Sequence, residues 1–100
     1  MSDRKISLVK EIGKQKNITN INTLEISKVK NKRFSITSPN GKKINFGLYP
    51  FKGKGAFIDH NDNKLKQAWK ARHSKIMIDG KPAYLNKESP EYYSYNLLWN

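Results

Sequence analysis

The chain has no cysteine, which removes disulfides, thiolate metal sites and thiol redox chemistry and fits an intracellular setting. Acidic residues are scarce: eight Asp and Glu stand against twenty Lys and Arg, a formal net charge of +12 over 100 residues. The first fifty residues hold only Asp3, Glu11 and Glu25 as acids, so the positive excess is concentrated there. Arginine is scarce as well, at Arg4, Arg33 and Arg72. Base reading favours that planar fork over the point charge of lysine, which argues against sequence-specific recognition. No apolar run approaches the roughly 20 residues a membrane span needs, and Met1 to Lys10 lacks the apolar stretch of a signal peptide. A soluble or peripheral protein is expected. AT-rich coding explains lysine in place of arginine but not the shortage of acids, so the charge points to a polyanion or to an acidic protein surface.

What is present divides into an arm and one small domain. Residues 1–22 show no sustained period and include the polar run Gly13-Lys14-Gln15-Lys16-Asn17. They read as a basic arm with one short element around Ile6, Val9 and Ile12, ordering on contact. From Thr23 the pattern alternates: Leu24 and Ile26, then Phe34 and Ile36, then Ile44, Phe46 and Leu48, as in half-buried antiparallel strands. Ser38-Pro39-Asn40-Gly41 has the chemistry of a type I turn followed by a bulge. Ala56-Phe57-Ile58 reads as a strand, and Asn61 or Asp62 as the cap of a helix to His73 with Leu65, Ala68 and Trp69 inward. Ile76 to Lys81 reads as a strand entering an Asp-Gly turn, with a return strand around Tyr84 and Leu85. Ser89 and Pro90 open a terminal helix. On a 3.6-residue period Tyr92, Tyr95, Leu98 and Trp99 share one side of it, and Tyr93 and Leu97 the other. The expected fold is α+β over residues 23–100: a small antiparallel sheet with a central hairpin, packed against two short helices at about 62–73 and 89–99.

His60 and His73 raise a nuclease or metal reading. The helix between them carries Lys66, Lys70 and Arg72, which repel a divalent cation, and no zinc spacing is present. Asp59, His60 and Asp62 therefore read as loop and capping residues, and no metal site, cofactor or catalytic residue is assigned. Lys52-Gly53-Lys54-Gly55 resembles a phosphate loop in composition only, because no Lys-Ser/Thr follows at a helix start. The candidate phosphate contacts are Lys28, Lys30, Lys32, Arg33, Lys42 and Lys43 around the first strands, Lys52 and Lys54 in the glycine loop, and Lys66 and Lys70 on the helix. Phe34, Phe46 and Phe57 fall in phase with aliphatic neighbours and read as core. Tyr49 is thus the one isolated candidate for base stacking, and phosphate contact is favoured over single-strand recognition.

Several short motifs resemble a family of small basic proteins encoded by nucleocytoplasmic large DNA viruses. They are Lys32-Arg33-Phe34, Asn40-Gly41-Lys42-Lys43-Ile44-Asn45-Phe46-Gly47, Ile58-Asp59-His60-Asn61-Asp62, Trp69-Lys70-Ala71-Arg72-His73-Ser74 and the tail ending Leu97-Leu98-Trp99. The resemblance covers about residues 32–99. It implies a virus-encoded, virion-associated protein and supplies no catalytic residues; a protein that is not an enzyme, present in host cytoplasm or nucleus during assembly, is expected. The functional expectation is a non-catalytic protein that binds nucleic acid, DNA first, through its phosphates, or else the acidic surface of another virion protein. The alternative is a minor capsid or scaffold component held to neighbouring subunits by its arm and by Tyr92, Tyr93, Tyr95 and Trp99 of the aromatic tail.

Overall fold

The structure, a computed structural model, describes residues 5–50 and 53–100. Helix α1 (Ile6–Gln15) buries Val9, Ile12 and Gly13. Its end is a Schellman motif: the Ile18 amide donates to the Gly13 carbonyl (2.9 Å), the Asn17 amide donates to the Lys14 carbonyl (3.1 Å), and Asn17 takes the left-handed conformation at φ 59°. Ile18 and Ile21 then turn back into the core. A Cβ on Gly13 would lie 2.3 Å from the Ile21 side chain, so the return needs glycine there. The arm expected over residues 1–22 is thereby corrected: from Ile6 to Ile21 it belongs to the folded body, while Met1 to Arg4 lie outside the described residues. The polar run that suggested an arm is the exposed last turn and cap of an amphipathic helix.

Three antiparallel strands follow, β1 (Glu25–Ile26), β2 (Lys32–Thr37) and β3 (Lys43–Leu48), in the order β1-β2-β3. Phe34 pairs with Phe46 and Ile36 with Ile44, which places four apolar side chains on one face. The hairpin has the expected turn. The Gly41 amide donates to the Ser38 carbonyl (2.9 Å), the Ser38 amide to the Lys42 carbonyl (2.8 Å), and Gly41 supplies φ 83°.

Residues 56–60 form a single helical turn, α2 (Phe57–His60), instead of a strand. The Asp59 carboxylate accepts the Ala56 amide at 2.8 Å, and Asn61 closes the turn at φ 57°. This local capping outweighs a three-residue apolar pattern. Asp62 caps α3 (Asn63–His73), accepting the Lys64 amide at 2.9 Å. None of the α3 side chains is fully buried, and Leu65 and Ala68 face solvent; only Trp69 of the expected inward face packs. Strands β4 (Met77–Ile78) and β5 (Lys81–Pro82) form a two-stranded ribbon around Asp79-Gly80, and Tyr84 and Leu85 lie in a 3₁₀ turn beyond it.

The terminal helix begins as α4 (Pro90–Tyr93), capped by Ser89, and widens into a π-helical turn over Ser94–Leu98 in which the Trp99 amide donates to the Ser94 carbonyl. The wider turn rephases the expected faces. Tyr93, Leu97 and Leu98 now go inward together, and Tyr92 and Trp99 pack at the edge of the core. The α+β class stands, with four α-helices and a small antiparallel sheet. The sheet is covered by α1 and the terminal helix; α3 lies outside this core, with Leu65 exposed and Trp69 packed on aromatic rings.

Behind the sheet, Arg33 (side chain 2% exposed) and Asp59 (7%) form a two-pronged ion pair, Nη1 to Oδ2 at 2.8 Å and Nη2 to Oδ1 at 3.0 Å. Lys5 lies 3.5 Å from the same carboxylate and donates to the Ile58 carbonyl at 3.0 Å. Burial pushes the Asp59 carboxyl up, but the hydrogen bonds from Arg33 and Ala56 and the charges of Arg33 and Lys5 outweigh it and hold the group below its ordinary value. A carboxyl with a depressed folded pKa stabilises fully above its unfolded value of about 3.9 and loses that contribution as pH falls through the lower folded value. Urea midpoints should therefore be level at neutral pH and fall below about pH 4. Asp59→Ala should cost about 3–5 kcal/mol, since it takes the two-pronged carboxylate partner from a buried guanidinium, and Arg33→Met with Asp59→Leu should recover most of it. A loss under about 1 kcal/mol in Asp59→Ala would show that the pair is not structural.

Candidate nucleic-acid interface

The lysines assigned to the first strands do not form one surface. Lys28, Lys30 and Lys32 lie at the β1–β2 turn, whereas Lys42 and Lys43 lie at the other end of the sheet, roughly 17 Å away by strand rise. Lys43 pairs with Glu25 at 2.9 Å, and its hydrogen bond and charge, with smaller help from Ser35 and Lys28, draw the Glu25 carboxyl below its usual range. Arg33 is corrected outright: it is buried against Asp59 and offers nothing to a phosphate in solvent. Its position one residue before Phe34, in a strand with both faces covered, is what takes it inside. Lys54 is exposed, and Lys52 lies outside the described residues.

The remaining pair, Lys66 and Lys70, lies one turn apart on α3 and is joined by a residue that the sequence assigned to the arm. Lys16, at the end of α1, comes close enough to repel both. Loss of hydration, then the charge of Lys66, lowers the Lys16 pKa; loss of hydration, then Lys16 and Lys66, lowers that of Lys70. The Lys66 ammonium sits 4.3 Å over the Phe57 ring and donates to the Asn100 main-chain oxygen at 3.1 Å. The Lys70 ammonium sits 4.6 Å over Tyr95. Among the described residues no Asp or Glu side chain pairs with any of the three. Aromatic faces hold Lys66 and Lys70 without neutralising them, and with Lys16 three like charges are kept together at an electrostatic cost that a bound anion would relieve.

Beside them lies an aromatic column. Trp69 is nearly parallel to His73 (3.8 Å, 12°) and to Trp99 (4.9 Å, 7°); two rings that close cannot share one face, so Trp69 is sandwiched. Tyr95 meets Trp69 at 6.0 Å and stacks on Tyr84 at 4.5 Å, and the His60 ring meets Trp99 at 5.4 Å. His60 accepts the Asp62 amide through Nδ1 (2.9 Å), while His73 Nδ1 is 2.6 Å from Glu91 Oε2. A cleft of about 340 Å³ opens between β3, α3 and the terminal helix, with Trp69, Trp99, His73, Glu91, Ser94 and Lys32 on its walls. Among the described residues no group of three or more His, Asp or Glu is arranged to hold a metal.

The aromatic tail assigned to protein contacts is used internally. Tyr93 is fully buried, its hydroxyl donating to the Lys87 carbonyl (2.8 Å) and accepting from Asn20 (3.0 Å), and burial raises its pKa. Tyr92 and Trp99 pack on the same core. Exposed apolar side chains gather instead on the ribbon, at Ile76, Met77 (54% exposed) and Ile78, and at Leu85 (63%), with Leu8, Val29, Leu48 and Leu65 exposed elsewhere. The Lys66/Trp69/Lys70 spacing is legible in sequence, but Lys16 and the Glu91 partner of His73 come from distant segments with no local signal.

No curated protein and no solved structure matches the chain. The described family match runs over residues 22–73, which takes in the three-stranded sheet, the Arg33–Asp59 pair and all of α3, and leaves out α1 and the terminal helix. No helix among the described residues is long and apolar enough to cross a membrane. With just over half of its length matched, the chain belongs to DUF5754, a family of unknown function.

Proposed function

We propose that the chain is a non-catalytic protein that binds nucleic acid without sequence preference, holding phosphates at Lys16, Lys66 and Lys70. The observation that carries this reading is the convergence of Lys16, at the end of α1, with Lys66 and Lys70 of α3, the latter two lying over aromatic rings, with no Asp or Glu side chain among the described residues to neutralise them. The exposed lysines at the two ends of the sheet add long-range attraction. A virion of a nucleocytoplasmic large DNA virus, assembled in host cytoplasm or nucleus, is the setting that the sequence resemblance supports, with DNA as the first ligand to try.

A second reading, a minor capsid or scaffold component, is favoured by one observation: the β4–β5 ribbon exposes Ile76, Met77 and Ile78, with Leu85 beyond it. Protein contacts on this reading use the ribbon, not the arm or the aromatic tail. Light scattering of the wild type beside Met77→Lys checks it: association lost in the variant supports the ribbon contact, and a wild-type monomer counts against self-assembly.

For the leading reading, anisotropy titrations with a labelled oligonucleotide at rising salt should give a log–log slope of roughly −2 for single strands held by three phosphates. Binding unchanged between low and moderate ionic strength would falsify phosphate recognition. Inorganic polyphosphate should also raise the melting temperature, by an amount equivalent to about 2.7 kcal/mol at a hundredfold excess over Kd. No upward shift would count against the cluster as an anion site.

A further inference from the structure

Building on the phosphate-binding reading, we propose that the cleft between β3, α3 and the terminal helix receives one unpaired nucleobase of the strand whose phosphates lie on Lys16, Lys66 and Lys70. The protein then prefers single strands to duplexes.

Three observations carry this. The cleft, at about 340 Å³, is at the small end of the range for ligand sites and suits one flat ring, not a base pair. Its chemistry matches a base edge. Glu91 uses Oε2 on His73, and neither its Oε1 nor the Ser94 hydroxyl, three residues on along the same helix, makes a hydrogen bond within the described chain. A free carboxylate oxygen that accepts, beside a hydroxyl that can donate, complements the ring N–H and carbonyl edge of a base such as thymine. Phe46 and Leu98 give the cleft its apolar lining, and the covered faces of Trp69 leave its edge for edge-to-face contact.

The third observation is continuity. Lys66, Trp69, Lys70 and His73 follow the i, i+3, i+4, i+7 spacing of one helical face, so the phosphate site and the cleft wall are parts of the same surface. A strand running along α3 has its phosphates on the lysines and a base beside the tryptophan. In a duplex that base is paired and stacked, and removing it costs a few kcal/mol.

Both tryptophans of the chain line the cleft, so intrinsic fluorescence reports its occupancy. The test titrates the full chain with oligothymidylate, with an abasic oligomer of equal length and charge, and with a duplex. Oligothymidylate should bind about tenfold tighter than the abasic strand, within the range for one base contact with aromatic side chains, and should quench tryptophan emission, while the abasic strand binds without quenching. Equal affinity of the two strands with unchanged emission would overturn the base site and leave the phosphate reading intact. Binding by neither strand would overturn both, and a duplex bound as tightly as oligothymidylate would overturn the single-strand preference. In Ser94→Leu, checked for folding by circular dichroism, the difference between the strands should vanish with abasic affinity kept; its persistence in the folded variant would show that the base lies elsewhere.

Discussion

The buried pairing of Arg33 with Asp59 is the constraint around which the molecule is arranged. It fastens the middle strand of the sheet to the α2 turn, and through Lys5 it reaches the residue that precedes α1. The same carboxylate accepts the Ala56 amide, so one side chain both starts α2 and neutralises the interior cation. From α2 the chain passes through Asn61 and Asp62 directly into α3, and the position of α3 fixes Lys66, Trp69 and Lys70. A desolvated ion pair is a poor source of net stability compared with apolar packing, yet breaking it from one side is costly. Its contribution is to hold α3 in place relative to the sheet.

The scarcity of acids gives this economy its electrostatic result. Asp59 is committed to Arg33, Asp62 to the α3 cap, Glu25 to Lys43, Glu88 to the Asn40 amide and Glu91 to His73. These five carboxylates are occupied in holding the fold, and the α3 lysines rest on π-faces. The pKa values of Lys16 and Lys70 are depressed first by loss of hydration and then by their lysine neighbours. On the proposed reading a polyanion would replace mutual repulsion with attraction at that place, while the general field of a +12 chain would increase the rate of encounter.

Local chemistry was readable where it was self-contained. The Ser38–Gly41 turn, the Asp62 and Ser89 caps and the phase of β2 and β3 follow from residues within a few positions of one another. Features set by distant partners were not. Arg33 reads as one more surface cation until Asp59, far along the chain, is brought to it, and Lys16 reads as part of a loose arm until α1 packs against the terminal helix. Ala56-Phe57-Ile58 has a strand's composition, but an aspartate able to cap the turn after it selects a helix. The terminal helix was legible in its start and not in its faces, because one π-turn moves Leu98 from the side of Trp99 to that of Tyr93 and Leu97. The cleft needs β3, α3 and the last helix together, and no window of sequence contains all three.

The central claim, that phosphates are held at the α1–α3 lysine cluster and not at the ends of the sheet, is tested by the salt dependence of oligonucleotide binding in two triple variants. Removing Lys16, Lys66 and Lys70 as glutamines should reduce the log–log slope of a single strand by about 2 units and abolish most of the affinity. Removing Lys28, Lys30 and Lys42 in the same way should leave the slope nearly unchanged. The reverse pattern would contradict the account.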